Sequence, residues 1–155
     1  MTVSATDDEY TGSTSFTLTV NPVNDAPTLD AISDDTVDED NIYTIELSGT
    51  DIDGDSLTFQ ASVDGNGSVS VDGSTLTVTP DANFNGDIVV SILVSDGQAS
   101  GSGSFTLSVN PVNDAPTVTA IDNQVIDEDT SLEIIVFPVD IDGDDLTLSA
   151  SGDNI

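Results

Sequence analysis

An internal repeat of 89 residues sets the architecture of this chain. The segment Phe16–Thr28 returns almost unchanged as Phe105–Thr117, which fixes the offset between copies. Two acidic motifs return at the same offset, 38–40 as 127–129 and 51–55 as 140–144. Three motifs in one register, with no insertion between them, predict tandem copies of one structural unit.

The repeat divides the chain into three predicted segments. Residues 26–114 form one complete unit, called the central unit below. Residues 1–25 correspond to the C-terminal strands of a preceding, truncated repeat, and residues 115–155 to the N-terminal part of a following, truncated repeat. We expect the sequence to belong to a longer array. The exposed strand edges of the two partial repeats should promote association between molecules.

The local sequence pattern is that of β-strands throughout. Segments such as 105–109 alternate apolar and small polar residues, whereas 88–94 is apolar on both faces and indicates a central strand. Seven strands per unit are predicted, at 28–32, 42–48, 57–62, 68–71, 75–79, 88–94 and 105–109. Their number and spacing predict an all-β fold, with tandem immunoglobulin-like, seven-stranded Greek-key β-sandwiches in an extended array.

The charge of the chain excludes several classes of partner. Among 155 residues there are 30 acidic side chains (25 Asp and 5 Glu), with no Lys, Arg, His or Cys. Nucleic acid and anionic membrane surfaces would be repelled. No segment is apolar for long enough to insert in a membrane.

The same composition argues against an enzyme. A Ser-His-Asp triad, a Schiff-base lysine and a cysteine nucleophile all need residues that are missing. Paired carboxylates could hydrolyse glycosides, but here they fall in loops at the ends of the sandwich, with no sign of a cleft. We therefore predict that the chain has no catalytic residues.

The predicted topology gathers acidic residues at the two ends of the central unit. Alternate loops of a sandwich share an end, so 49–56 and 95–104 should face the preceding repeat. The segments 38–40, 80–86 and 110–114 should face the following one. The expected first junction contains Asn24, Asp25, Asp51, Asp53 and Asp96. The expected second junction contains Glu39, Asp81, Asn83, Asn113, Asp114, Asp140 and Asp142.

Convergent carboxylates need a positive partner that this sequence does not supply. Two carboxylates about 5 Å apart repel by roughly 3 kcal/mol at an effective dielectric constant near 20. Solvent screening and backbone N–H donors could relieve that repulsion, and so could a bound metal. All-oxygen sets of Asp, Glu and Asn suit a hard cation, and irregular sets from several loops suit Ca²⁺ better than Mg²⁺.

The combined motifs resemble the cadherin superfamily, and in particular the bacterial cadherin-like or tandem-95 repeats of large surface adhesins. The resemblance is carried by Val37–Asp40, Gly49–Phe59, Val94–Gly97 and the linker Val23–Pro27. It implies Ca²⁺ bound between neighbouring repeats of the same chain, in an extracellular, rod-like spacer of a secreted protein that mediates adhesion. Asp81-Ala-Asn83 stands where animal cadherins have Asp-Arg-Glu, and Pro80–Gly86 is typical of the bacterial repeats.

One alternative function stays open at this point. A carbohydrate- or protein-binding β-sandwich module would share the same fold. Sugar sites usually present aromatic platforms, and the chain has no Trp and only two Tyr. A cell-surface protein or glycan could still be the target of other parts of the parent protein.

Overall fold

The computed structural model of the chain describes residues 1–152, so the last three residues of the predicted 115–155 segment lie outside the described residues. The structure is built from β-strands. Those before the central unit are β1 (Thr2–Thr6) and β2 (Thr11–Ser15). Those of the central unit are β3 (Thr28–Leu29), β4 (Asp35–Asp38), β5 (Tyr43–Glu46), β6 (Gly49–Thr50), β7 (Thr58–Val63), β8 (Gly67–Asp72), β9 (Thr75–Pro80), β10 (Gly86–Ser95) and β11 (Ser100–Asn110). After it come β12 (Thr117–Val118) and β13 (Pro138–Val139).

Two sheets form the sandwich of the central unit. One has the order β4-β11-β10-β7, and the other has the order β5-β9-β8. Strand β4 runs parallel to β11, whereas the other pairs are antiparallel. The predicted all-β sandwich is confirmed, and the apolar segment 88–94 is indeed a central strand. Within residues 1–152, no helix is long and apolar enough to cross a membrane.

The core lies between these two sheets and explains the alternation of the sequence. On β10, Ile88, Val90, Ile92 and Val94 are buried, whereas the residues between them face outward. The remaining buried apolar side chains come from β9, β11 and the segment after β5: Leu47, Leu76, Val78, Phe105, Leu107 and Val109. All of the buried apolar side chains in the described residues therefore belong to the central unit.

The central unit has nine strands instead of the predicted seven, because β4 and β6 lie outside the predicted strands, and β6 occupies the first two residues of the predicted loop 49–56. The predicted strand 28–32 ends at Leu29, and the chain then joins the four-stranded sheet as β4. Asp34 marks the crossing, since its Oδ1 accepts the Thr106 N–H at 2.7 Å. The predicted strand 42–48 stops at Glu46, after which β6 turns to pair with β3. Apolar periodicity does not reveal which strand a segment pairs with, so neither break was predicted.

The predicted loop at 95–104 is wrong in its extent, because β11 already begins at Ser100. The segment Ser100–Ser104 contains only Ser and Gly, so it carries no apolar signal. The glycines of this segment are explained by the close packing of residues 27–29 against it. A Cβ atom on Gly101 would collide with the carbonyl oxygen of Pro27, and one on Gly103 would lie 2.9 Å from the Leu29 side chain. The missing side chains let the start of the unit pass close to β11.

The partial repeats reproduce the pairing registers of the central unit. Strand β1 pairs with β2 through Val3↔Thr14, and β10 pairs with β11 through the corresponding Ile92↔Gly103. In the same way, Thr117↔Val139 in β12 and β13 corresponds to Thr28↔Thr50 in β3 and β6. The repeat seen in the sequence is therefore also a repeat of backbone geometry.

Candidate metal centres

Hydrogen bonds join the linker before the central unit to two of its loops, which together form the first junction. The Asn24 side-chain amide donates to Asp96 Oδ2 at 2.9 Å. The Asp25 backbone N–H donates to Asp53 Oδ2 at 2.8 Å. The loop after β6 and the loop after β10 therefore lie at the same end of the sandwich, next to the preceding linker.

Asp51 organises its own loop and keeps one oxygen free. Its Oδ1 accepts the backbone N–H groups of Asp53 at 2.9 Å and of Asp55 at 3.1 Å. Gly54, which lies between them, has a φ of 80°, a conformation that glycine adopts at no steric cost. No donor in residues 1–152 reaches the buried Asp51 Oδ2. The tight turn thus leaves one carboxylate oxygen without a partner.

Asp96 is held in its charged form. Its Oδ1 accepts the backbone N–H groups of Gln98 and Ala99, each at 2.6 Å. The pKa of Asp96 is lowered, chiefly by the bond from Ala99 and then by those from Asn24 and Gln98. Since bonds to the charged form favour it, the first junction retains this negative charge well into the acidic range.

The second junction is centred on a buried carboxylate. Glu39 is only 2% exposed, and its Oε1 accepts the Val112 N–H at 2.5 Å. No donor in the described residues reaches its Oε2. The Asp114 N–H donates to Asp142 Oδ2 at 2.6 Å, which repeats the Asp25–Asp53 bond of the first junction. Asp114 Oδ2 is also buried without a donor.

Several negative charges converge on Asp114. Its pKa is raised, first by burial and then by the charges of Asp142, Asp40, Glu39 and Asp140, in that order. Desolvation and like charges both disfavour the ionised form. The direction of this shift indicates that the second junction lacks a positive charge to balance its carboxylates.

Two residues outside the predicted site also join the junctions. Asp40 has a φ of 61°, and its Oδ1 accepts the Asn83 N–H at 3.0 Å. Its counterpart Asp129 has a φ of 62°. The recurrence of Asp as the third residue of this acidic motif, at 40 and at 129, is the sequence signal that indicates Asp40. The Gln98 side-chain amide donates to Asn24 Oδ1 at 2.9 Å. Apart from its nearness to Asp96, nothing in the sequence indicates Gln98.

Three other predicted site residues make only backbone or short-range hydrogen bonds. Asp81 contributes its backbone N–H to Asn66 and its carbonyl to Phe84. The Asn113 amide donates to the Asp114 carbonyl, and Asp140 Oδ1 accepts the N–H groups of Asp142 and Asp144. Within residues 1–152, no three carboxylates form a group that could hold a metal ion as they stand.

The carboxylate oxygens at both ends would nevertheless be satisfied better by a hard cation than by any group that the chain itself supplies. The oxygens without donors are Glu39 Oε2, Asp51 Oδ2 and Asp114 Oδ2. A buried carboxylate oxygen with no donor is unfavourable, and the sequence has no Lys, Arg or His that could supply one. Asp, Glu and Asn oxygens from several loops are the ligands that Ca²⁺ accepts in flexible geometry.

Comparison with known proteins points to one family. A family model described as a cadherin-like domain matches residues 23–110, which is more than half of the chain. No sequence among the curated proteins matches significantly.

Several solved structures are similar to this chain, and three of them illustrate the range. Human protocadherin-24 EC1-2 is 23% identical, with a TM-score of 0.47, over 63% of this chain and 50% of that chain. Surface layer protein SbsC, domains 1-6, is 18% identical, with a TM-score of 0.40, over 72% of this chain and 17% of that one. An endo-fucoidan hydrolase from glycoside hydrolase family 107 is 18% identical, with a TM-score of 0.45, over 69% of this chain and 18% of that one. This chain thus spans half or less of each of these structures.

Proposed function

Since this chain belongs to the cadherin-like domain family, we propose that it is a calcium-binding, calcium-rigidified spacer repeat of a large bacterial extracellular adhesin. The cadherin-like domain is a non-enzymatic fold of extracellular, adhesion-type proteins, and its natural contacts are with neighbouring domains.

One observation carries the proposal. Both junctions contain buried carboxylate oxygens that no donor in residues 1–152 reaches, in a chain that has no cationic side chain. A folded protein would need to balance such groups, and here the balancing charge has to come from solution. A divalent cation meets this need with oxygen ligands alone.

We assign the residues at each end as follows. At the first junction Asp51 Oδ2 is free to bind an ion, with Asn24, Asp25, Asp53 and Asp96 around it. At the second junction Glu39 and Asp114 offer free oxygens, with Asp81, Asn83, Asn113, Asp140 and Asp142 as the remaining candidate ligands. A bound Ca²⁺ would neutralise these carboxylates and link each linker to the loops that face it.

The test is thermal unfolding combined with small-angle X-ray scattering, in Ca²⁺ and in chelator, with NaCl matched for ionic strength. Extracellular modules bind Ca²⁺ with dissociation constants of about 10⁻⁴–10⁻³ M. At about 100 times that value, each site adds roughly 2.7 kcal/mol, enough to raise the melting midpoint by on the order of 10 °C. We also expect the maximum dimension to increase as the linkers stiffen.

Asp51→Asn should remove the response at the first junction and spare the second. Asp72→Asn, at an exposed position at the end of β8, removes the same charge from a residue that is not a candidate ligand and should respond to Ca²⁺ like the wild type. If the midpoint and the maximum dimension are equal in Ca²⁺, in chelator and in matched NaCl, the acidic clusters are solvated turns and the proposal fails.

A further inference from the structure

The sequence contains two Asn-Gly dipeptides, Asn66-Gly67 and Asn85-Gly86, and both lie in the central unit. In such a pair the backbone nitrogen of the glycine can attack the side-chain amide of the asparagine, because glycine has no Cβ to obstruct the approach. Both asparagines are exposed. Exposure therefore does not distinguish the two dipeptides, whereas the surroundings of the glycine N–H do.

The Gly67 N–H lies on the free side of β8. The Asp81 N–H donates to the Asn66 carbonyl at 2.9 Å, and the register of β8 and β9 places these two residues directly opposite each other. Since hydrogen-bonded and non-hydrogen-bonded pairs alternate along antiparallel strands, the next pair, Gly67↔Pro80, is non-hydrogen-bonded. Strand β8 is the edge of its sheet, so no strand of residues 1–152 pairs with the side that the Gly67 N–H faces.

The Gly86 N–H, in contrast, is held inside a sheet. Where the pairing of β10 with β11 ends, the Asp96 N–H donates to the Ala99 carbonyl at 3.4 Å. Gly86 lies an even number of positions before Asp96, so the alternation makes Gly86↔Val109 a hydrogen-bonded pair. An N–H that is bonded to a carbonyl cannot attack a neighbouring side chain until the end of the strand opens.

Packing and backbone geometry favour both residues of the Asn66-Gly67 dipeptide. A Cβ atom at position 67 would lie 2.8 Å from the Thr79 carbonyl oxygen and 3.1 Å from the Pro80 Cα. Both neighbours are backbone atoms, which cannot move aside as a flexible side chain can. Asn66 has a φ of 58°, in the left-handed region that asparagine tolerates better than most residues. The turn between β7 and β8 therefore requires a sequence that is also chemically reactive.

We propose that Asn66 is a site of self-modification, at which the Gly67 nitrogen converts the side-chain amide into a cyclic imide. A bond forms between Gly67 N and Asn66 Cγ, the Cγ–Nδ2 bond breaks, and ammonia leaves with the proton of the Gly67 N–H. Water is the co-reactant of the second step. It opens the imide at Cγ, which gives Asp, or at the former backbone carbonyl, which gives isoaspartate.

The isoaspartate product alters the backbone where β8 meets β9. Its main chain runs through Cγ, which inserts a methylene between the Cα of residue 66 and the nitrogen of Gly67. The former Asn66 carbonyl, which accepts the Asp81 N–H, becomes part of a free carboxylate. The hydrogen bond that fixes the start of the loop after β9 is therefore disturbed. Either product also adds a negative charge to a chain with 30 acidic side chains.

The test is peptide mass spectrometry on the full chain, incubated in mildly alkaline buffer and sampled over time. The chain has no Lys or Arg for trypsin, so the peptides are made with pepsin in acid. Deamidation changes the mass of a peptide, whereas isomerisation of the Asp-Gly pairs does not. Relative to its own rate in urea, Asn66 should react at least about ten times faster than Asn85, since an opening cost of about 1.4 kcal/mol slows Asn85 tenfold.

Two glycine substitutions form a matched pair. Asn66→Gly removes the amide and suits the φ of 58°, so it should abolish the fast deamidation and leave the fold intact. Asn85→Gly removes the other amide and should keep the fast phase of the wild type. Hydrogen exchange supplies a second measurement. After incubation the Asp81 amide should exchange faster in the wild type, and at an unchanged rate in Asn66→Gly.

Two results would overturn the proposal. The first is a folded chain in which Asn66, relative to urea, reacts less than about ten times faster than Asn85, which would mean that the free edge of β8 does not control the reaction. The second is a fast mass change that persists in Asn66→Gly and disappears in Asn85→Gly, which would place the reaction at the other dipeptide.

Discussion

Glu39 is the side chain at which burial of a negative charge costs this fold most. Among the described residues, Glu39 is the only charged side chain that is buried, and its carboxylate accepts one hydrogen bond, from the Val112 N–H. Burying a carboxylate is costly unless it is paired. Under the proposed function, an ion bound to Glu39 Oε2 would remove this cost, and the stability of the second junction would then depend on that ion.

We predict that Glu39→Gln has opposite effects with and without Ca²⁺. In chelator the amide can still accept the Val112 N–H, and loss of the buried charge should leave the unfolding midpoint unchanged or raise it. In Ca²⁺ the second junction should lose its gain, roughly 2.7 kcal/mol at about 100 times the dissociation constant. Urea unfolding in the two buffers measures both effects.

Glu46→Gln is the control for this experiment. The Glu46 carboxylate is exposed and accepts hydroxyl hydrogen bonds from Ser74 and Thr75, neither of which is a candidate ligand at a junction. Its substitution should have the same effect in chelator and in Ca²⁺. Equal effects of Glu39→Gln in the two buffers would mean that Glu39 does not bind the ion.

Tyr43 predicts how stability should change at alkaline pH. Its hydroxyl donates to Asp35 Oδ2 at 3.0 Å. Its pKa is raised from 10.0 to about 12, first by burial and then by the hydrogen bond and charge of Asp35. Because the folded state holds the proton more tightly than the unfolded state, this contribution is complete below about pH 10 and is lost as the pH rises towards 12.

The titration of Tyr43 can be followed by tyrosinate absorbance in a Tyr10→Phe background, where it is the only tyrosine left. The absorbance should rise near pH 12 in the folded protein. Tyr43→Phe should remove the corresponding part of the alkaline loss of stability. Titration of Tyr43 near its ordinary value would contradict the hydrogen bond to Asp35.

At the scale of the strands, Gly101 leaves the least room for a Cβ atom among the glycines of residues 1–152, because Pro27 passes close to β11. A Cβ atom on Gly101 would overlap the Pro27 carbonyl, so Gly101→Ala should destabilise the central unit, typically by about 1–3 kcal/mol. Gly12 is the counterpart of Gly101 in β2, and nothing lies within 4 Å of a Cβ atom there. Gly12→Ala should be nearly neutral. Equal unfolding midpoints for the two variants would contradict this account.

The sequence predicts strands correctly where apolar periodicity is strong. It does not predict strand bounds that are set by contacts with residues distant in sequence. Ile88–Val94 and Phe105–Val109 were found because their alternation reports burial directly. The start of β11 at Ser100 was missed because its inward positions are glycines, chosen for the backbone that passes them. The split between β3 and β4 depends on a long-range bond from Thr106 to Asp34, which no local pattern encodes.

The candidate site shows the same division. Motif spacing and strand counting placed Asp53 near Asp25 and Asp142 near Asp114, because alternate loops of a sandwich must share an end. The side chain of Gln98 reaches Asn24 through one rotamer of a loop residue, and a sequence does not specify that choice. Nor could spacing show that Glu39 is buried, since the motif around it is acidic and hydrophilic.

At the scale of the whole molecule, stability should reside in the central unit. In residues 1–152 the buried hydrophobic core lies between Leu47 and Val109, and the partial repeats contribute none of its side chains. We expect residues 23–114 alone to unfold cooperatively in chelator, with a midpoint close to that of the full chain. An unfolded or molten trimmed chain would show that the flanking segments are needed for folding.

The parallel pairing of β4 with β11 determines how the unit should respond to mechanical tension. The two strands meet in the pairs Leu107↔Asp35 to Asn110↔Asp38, near opposite termini of the unit. Tension applied through the two linkers pulls them in opposite directions along a common axis. Their hydrogen bonds are then loaded together in shear and cannot be peeled apart singly. In single-molecule pulling we expect a distinct force peak for the central unit. Val37→Pro should lower it, because the Val37 N–H faces β11 on the same side as the Glu39 N–H, which donates to the Asn110 carbonyl, and proline has no N–H to donate. A wild-type unit that extends without such a peak would show that this ladder does not bear the load.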